Sequence, residues 1–562
     1  MKKILAVMLA IAAVLAAFAC ISANLEIIHV EKFPRQLQEA SNAFDSACNS
    51  TLYPVICMST LVSHRHRSRS LVSASSIKDM ATISVTAALE EVKKVSDLAS
   101  SELAVASQHY SLDQTQHTAI EDCMTLLQYS LRQLNESLES LASSGEWKKQ
   151  RADDVKTWLS ASLTDHDTCI EGFERLKNKH PQSLLPDAVR NVSKLVSNSL
   201  VIINALPVAA NQMNSPPSPS SRRHLLERLR ESDLFLMEDG FPTWMTLSDR
   251  RLLQAPPTAG QKANAVVAQD GTGNYKTISE AVTAAPGGGH GRYVIYVKAG
   301  VYDETVEVSK DNIMLVGDGK GVTVVTASKS GGSLKSTATF AVTGKGFIAR
   351  DMGFSNTAGP GGGQAIALRV ASDQSAFYRC SIKAYQDTLY AHSLRQFYRE
   401  CDIYGSVDFI FGNAAAVFQS CNIAAIKGRS GVNFVTAQGR TDPNQNTGFS
   451  IHNSRVTGAV RTYLGRPWKQ YSRTVYMQSN LDGSIDPAGW SEWSGNFALN
   501  TLYYGEYMNA GPGAGTSNRV KWPGFHIIQT ADEANEFTVA ELISGNSWLP
   551  ATGIVYQAGL NG

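Results

Sequence analysis

Two spacings of apolar residues divide this chain. From about residue 40 to 207 they return every three or four positions: Ile120, Cys123, Leu127, Leu131, Leu134, Leu138 and Leu141 mark one stripe, and 80–103 and 189–206 carry others. That period belongs to amphipathic helices, and several of them with little glycine predict an antiparallel bundle. From residue 262 onward the pattern changes to short apolar runs, at 293–297, 313–316 and 322–325, separated by Gly, Asn and Asp turns. Such runs suit strands buried in a parallel sheet. Helical periodicity is weak after 279–285.

Within the second half a short unit recurs: Phe377-Tyr-Arg-Cys380-Ser-Ile382, Tyr398-Arg-Glu-Cys401-Asp-Ile403 and Phe418-Gln-Ser-Cys421-Asn-Ile423. The cysteines are 21 and then 20 residues apart. A fixed period of this length predicts stacked coils of a parallel β-solenoid. Seven residues after Cys380 and Cys401 stand Asp387 and Asp408. In register, they sit one strand spacing apart, about 4.8 Å. Two carboxylates in one column repel each other, which makes them the first candidates for chemistry. At the matching phase after Cys421 stands Gly428, so the column is expected to end at two carboxylates.

Composition adds compartments. A length of 562 residues exceeds one ordinary core. The 51 basic and 50 acidic residues give no reason to expect nucleic acid as a partner. Met1-Lys2-Lys3 followed by an apolar run to Ala19 reads as a secretory signal over 1–23, or as an anchor. The helical region then spans 41–207. A linker with Asn214-Ser-Pro-Pro-Ser-Pro-Ser-Ser221 spans 208–253, and the strand-rich region spans 254–562. Arg222-Arg223 and Arg250-Arg251-Leu252-Leu253 are candidate sites for a processing protease, with cleavage expected after the second. Asn49, Asn135 and Asn191 head Asn-x-Ser/Thr triplets, candidate glycan sites in a secreted chain. No spacing of histidines suggests a metal, and no cofactor is expected.

Cys48 and Cys57 would close a short loop at the start of the bundle, and Cys123 and Cys169 would link two helices. This layout resembles the pectin methylesterase and invertase inhibitor family, a four-helix bundle with two such disulfides that acts by binding. Farther on, Gly300-Val-Tyr302-Asp-Glu304, Gly363-Gln364-Ala-Ile-Ala-Leu368, Tyr385-Gln386-Asp387-Thr-Leu389, Asp408-Phe-Ile-Phe-Gly412 and Leu464-Gly-Arg466-Pro-Trp468 follow in order. Together they resemble the plant pectin methylesterases (pectinesterases). The resemblance implies a right-handed parallel β-helix behind an inhibitor-like pro-region. It further implies a secreted, monomeric cell-wall enzyme that hydrolyses methyl esters of pectin. Its partners would be methylesterified pectin, its own bundle docked over the cleft, and a separate inhibitor protein.

The same resemblance gives Asp408 the role of nucleophile, Asp387 that of acid and base, and Gln364 and Gln386 that of oxyanion donors. Arg466 orients Asp408. The residue types suit these tasks: a guanidinium lowers the pKa of a neighbouring carboxylate and fixes it by two hydrogen bonds. Neutral amides stabilise an oxyanion without disturbing the pair. Trp468, Trp490, Tyr385 and Phe340 are candidate sugar-stacking walls, with core packing as the alternative. Glu304 is expected to satisfy backbone groups at a turn. Cys380 and Cys401 share a phase and could bridge or simply stack. The stretch 453–461 is shorter than in the family, and Ser454 stands where a cysteine often pairs with the equivalent of Cys421, so Cys421 is expected unpaired. A β-helix glycoside hydrolase using the same carboxylates is the competing expectation.

Overall fold

The computed structural model describes residues 44–67, 76–109, 113–176, 184–206, 263–287 and 291–561. The signal region, the Pro/Ser linker and both dibasic pairs lie outside them. Helices α1 (Pro54–Arg67), α2 (Ile77–His109), α3 (Gln114–Ala142), α4 (Lys149–Glu174) and α5 (Leu185–Asn204) build the first unit. The four long ones close a ring in which α3 packs on α2 and α4, and α5 on α4 and α2. A capping box at Asp113 and Gln116 starts α3 by satisfying backbone N–H groups that the first turn leaves free. The apolar stripe buries Ile120, Cys123, Leu127, Leu134 and Leu141. Leu131 and Leu138 are half-buried. Ser130, which apolar spacing passes over, is buried between α3 and α4 against Ser162 (2.7 Å) and His166 Nε2 (2.9 Å). Burial pushes His166 down to about 3, so its ring is neutral at physiological pH. Disulfides Cys48–Cys57 and Cys123–Cys169 are both formed.

From Ala265 on, 26 strands form sheets of eleven, seven and eight strands. Every named strand pair is parallel, and successive coils contribute one strand to each sheet, as in a parallel β-helix. The repeat stacks as its period predicts. Phe377 lies on Tyr398 at 5.0 Å and Tyr398 on Phe418 at 4.7 Å, while Ile382, Ile403 and Ile423 are register partners. Helical segments near the C-terminus cover the eleven-stranded sheet, with Val539, Leu542, Trp548 and Leu549 packed on Ile348, Phe397 and Val417. Glu304 does what was expected of it. Its carboxylate accepts from the backbone N–H of Ile278 (2.8 Å) and Ser279 (2.9 Å), opening the helix Ile278–Ala284.

Cys421 is unpaired as expected, the alternative left open for Cys380 and Cys401 is decided, and two further expectations change. The thiols of Cys380, Cys401 and Cys421 are free and buried, not bridged. Each hydrogen-bonds a carbonyl of the coil below: Cys380 to Ala349, Cys401 to Phe377 and Cys421 to Tyr398, at 3.3–3.5 Å. Ser454 continues the column with the same bond to Phe418 O (3.1 Å) and accepts from Cys421 N–H, and Ser479 follows by donating to Ile451 O. Ser454 therefore takes over a stacking role; it does not leave Cys421 stranded. Gly428 does not stand over Asp408. Ile410 pairs with Thr436, so the third coil is longer, and Gly428 lies beside Ser406 instead. Finally, Phe340 and Trp490 are core residues. Phe340 is wholly buried, and Trp490 stacks on Tyr504 at 4.1 Å while donating to Glu506 (3.2 Å).

Glu506 behind Trp490 is held by Arg519, through Nε (2.7 Å) and Nη2 (3.1 Å), and both side chains are almost fully buried. Removing one partner leaves an uncompensated buried charge. Arg519→Met is expected to cost about 3–5 kcal/mol, read as a lower denaturation midpoint of the β-helix. The double variant with Glu506→Leu should recover most of that loss, and equal losses in both would refute the account.

Candidate active site

The seven-stranded sheet positions the site. Leu389 pairs with Ile410, so Asp387 and Asp408, each two residues earlier, occupy adjacent coils. Asp387 N–H donates to Val407 O (3.1 Å), tying the two turns together. Both aspartates adopt a left-handed backbone, φ 60° and 51°, which Asp tolerates better than most side chains. Arg466 directly follows the strand Thr462–Gly465. Its Nε and Nη2 donate to the two oxygens of Asp408 at 2.8 and 2.6 Å. The guanidinium is sandwiched between the rings of Phe434 (4.2 Å) and Trp493 (4.5 Å), so its orientation is fixed from both faces.

These groups line a cavity of about 240 Å³ with Gln364, Gln386, Phe411, Ala437, Trp468, Trp493 and Arg175. Gln364 and Gln386 are bridge partners on neighbouring coils, which brings both amides to one wall. Trp468 packs edge-on to Phe411 at 5.8 Å and over Gly439, where a Cβ would lie 2.8 Å from the indole. Any larger residue at 439 would push this wall into the cavity. Of the expected sugar walls only Trp468 lines the cavity. Phe340 and Trp490 point into the core. Tyr385 is half-buried outside the lining and contributes its carbonyl, which accepts from Ser406 N–H (2.7 Å). Trp493 takes the place expected of Trp490. Phe434 had no signal in the sequence, because it reaches Arg466 only through the longer third coil.

The electrostatics separate the two carboxyls. Burial and the charge of Asp408 push Asp387 up to about 8, so it holds a proton at neutral pH. Asp408 was expected below the ordinary range. Burial instead raises it, and the bidentate Arg466 opposes that rise. Asp408 thus has the counter-ion that favours its charged form, and Asp387 has a neighbour that disfavours it. A carboxylate set beside a carboxyl, with two amide donors facing them, can attack an ester carbonyl, protonate the leaving alkoxide and stabilise an oxyanion.

The bundle covers this cleft. Arg175, at the end of α4, donates to Gln364 Oε1 at 3.2 Å. Along α4, Asp154 pairs with Arg395 (2.6 Å), Trp158 donates to Asp373 (3.3 Å), and Ser160 O accepts from Gln445 (2.9 Å). Thr164 accepts from Asn413 and Thr168 meets His392, both at 2.9 Å. Leu394, on a β-helix turn with φ 70°, inserts into the bundle's own core.

Family models match both units: pectinesterase over residues 264–546, and plant invertase/pectin methylesterase inhibitor over 42–202. The chain belongs to the pectinesterase family. Pectinesterase 2 of Citrus sinensis is 52% identical over 460 residues, covering 80% of this chain and 83% of that protein. Probable pectinesterase/pectinesterase inhibitor 34 of Arabidopsis thaliana is 44% identical and covers 99% of this chain and 92% of its own. Among solved structures, the pectin methylesterase from carrot is 56% identical, with a TM-score of 0.53. It matches 54% of this chain and 100% of its own.

The raised pKa is directly measurable. In the intact chain, a carboxyl C=O infrared band absent from Asp387→Asn is expected to persist at neutral pH. It should vanish as pH rises through about 8. A band already lost in mildly acidic buffer would contradict the assignment.

Proposed function

We propose that this chain is the precursor of a secreted cell-wall enzyme that hydrolyses methyl esters of pectin, and that its bundle silences the enzyme until processing. The observation that carries the first part is the Asp387–Asp408–Arg466 constellation in a cleft beside two glutamine amides. Asp408 attacks the ester carbonyl, while Gln364 and Gln386 donate to the developing oxyanion. Asp387 gives its proton to the departing methoxide, so methanol leaves and an acyl anhydride joins substrate to Asp408. Asp387, now a carboxylate, takes a proton from water, which attacks the anhydride. The product leaves as a carboxylic acid that gives its remaining proton to solvent, while Asp408 departs as carboxylate and Asp387 keeps the proton it took, so both aspartates return to their starting states. Amide donors suit an oxyanion better than the oxocarbenium ion of a glycosidase, so methanol without chain shortening is the expected product pattern.

Autoinhibition is supported by the bundle lying over the cleft and by Arg175 engaging Gln364. Cleavage at Arg250-Arg251-Leu252-Leu253 frees the cleft, which is then open to a separate inhibitor of the same bundle type. Asn49, Asn135 and Asn191 are all exposed, as glycan carriers on a secreted pro-region must be.

Two measurements test this. Methanol release from methylated pectin by fragment 254–562 is expected to fall by about 10³-fold or more in Asp408→Ala, and full activity in that variant would sink the nucleophile assignment. An uncleavable chain carrying Arg250→Ala and Arg251→Ala is expected to be about tenfold or more slower than the fragment. Equal rates would end the autoinhibitory reading.

A further inference from the structure

Arg466 grips Asp408 through two hydrogen bonds, and a guanidinium at the end of a long side chain keeps that geometry only while its plane is fixed. The planar groups stacked against it extend well beyond the cavity. Trp493 covers one face at 4.5 Å and Phe434 the other at 4.2 Å. Behind Phe434 lies Tyr463, its register partner on the adjacent strand, with ring centres 5.6 Å apart and planes 10° from parallel. Behind Tyr463 comes Arg461. Its Cζ is 5.4 Å from the ring centre, and its Nη2 donates to the phenol oxygen (2.6 Å). Trp493, Arg466, Phe434, Tyr463 and Arg461 thus form one continuous ladder.

One segment of chain holds both ends. Arg461 Nε pairs with Asp486 Oδ2 at 2.9 Å. Asp486 is fixed in turn: its N–H donates to Thr462 O (2.9 Å), and its Oδ1 accepts from Ala488 N–H (2.8 Å). Trp493, on the same segment, closes the other end. The turn that carries Arg461 is tight, since only residues 459–461 join the strands Arg455–Gly458 and Thr462–Gly465. Asn433 N–H donates to Arg461 O (2.9 Å), which fixes that turn beside Phe434. Phe434 and Tyr463 stand outside the cavity lining, so they reach the chemistry through Arg466.

We propose that Phe434, Tyr463 and Arg461 are positioning residues, which together keep the Arg466 guanidinium in the plane that meets both oxygens of Asp408. That role rests on the esterase reading, in which Asp408 must be ionised to attack. Burial raises Asp408, and the guanidinium opposes that rise. A guanidinium free to tilt loses one of its two hydrogen bonds, and the carboxyl then holds its proton to higher pH. Loosening the ladder therefore moves the acid limb of the rate profile upward. Substrate binding is left alone, because the rungs behind Arg466 do not face the cavity.

Phe434→Leu keeps an apolar side chain and removes the ring face. In the intact chain, the carboxyl infrared band that Asp408→Asn removes is expected to persist about one pH unit higher in Phe434→Leu than in wild type. Methanol release by the processed chain should show kcat lowered about fivefold to thirtyfold, the worth of one desolvated cation–π contact. KM should stay nearly unchanged, and the acid limb should move up with the band. Phe434→Tyr should restore both. Arg461→Gln alters a side chain that is 61% exposed, so it tests the far end without threatening the fold. It should move band and rate the same way, with kcat down about twofold. A raised KM with an unmoved band would make Phe434 a sugar wall and overturn the proposal, as would a Phe434→Leu chain that behaves like wild type. If wild type releases no methanol, the esterase reading fails, and the band alone decides whether the ladder holds Arg466 on Asp408.

Discussion

The site depends on how a parallel ladder handles two carboxylates in one column. Stacking coils in register forces Asp387 and Asp408 onto neighbouring turns, and neither turn can slip without shifting every inward side chain of its coil. The ladder thus imposes a repulsion that the rest of the site resolves. Arg466 meets it on one side with two hydrogen bonds to Asp408. A retained proton meets it on the other, at Asp387. The two solutions make the carboxyls chemically unequal, which an acid–nucleophile pair requires. Rigidity carries into the next layer too. Phe434 and Trp493 clamp the guanidinium, and Trp490, bridged to Gly465 and anchored on Glu506 and Arg519, braces the strand that delivers it.

Much of this was legible in the sequence, because period is a local property. Three copies of an aromatic–Cys–Ile unit fixed the coil height, and the coil height put the aspartates in one column. The aromatic ladder 377–398–418 and the isoleucine ladder follow the same rule. What failed was whatever depends on loop length or on the direction of a side chain. Gly428 was phased by counting, but the third coil is longer than its predecessors. Phe340 and Trp490 are large aromatics near the signature segments, and nothing local says whether such a ring faces cleft or core. The cysteines were ambiguous for another reason. One phase suits a bridge and a stack equally, and the carbonyl one coil below gives each thiol a hydrogen bond without a covalent partner.

The bundle was legible as a bundle, but its polar cargo was not. Periodicity finds apolar stripes and is silent on residues that are buried only because another domain covers them. Asp165, on α4, is a polar residue that periodicity passes over. Its carboxyl is buried 3.9 Å from His392 of the β-helix, and burial pushes it up to about 8. Arg369 nearby is also buried, with Nε and Nη1 unpartnered. Features of this kind make an interface costly to form and specific once formed.

That cost bears on how the two units separate. A cleft closed by apolar contacts alone would hold its cover as a core holds a helix, and release would leave a sticky surface. Here α4 lies on a ridge of hydrogen bonds and ion pairs, and among the described residues Leu394 is the one β-helix side chain in the bundle core. Most of those β-helix groups fall back on partners of their own when α4 leaves, so the exposed ridge stays internally satisfied. Lys469 and Lys335 differ, since among the described residues the carboxylates they pair with, Asp167, Glu171 and Asp122, all belong to the bundle.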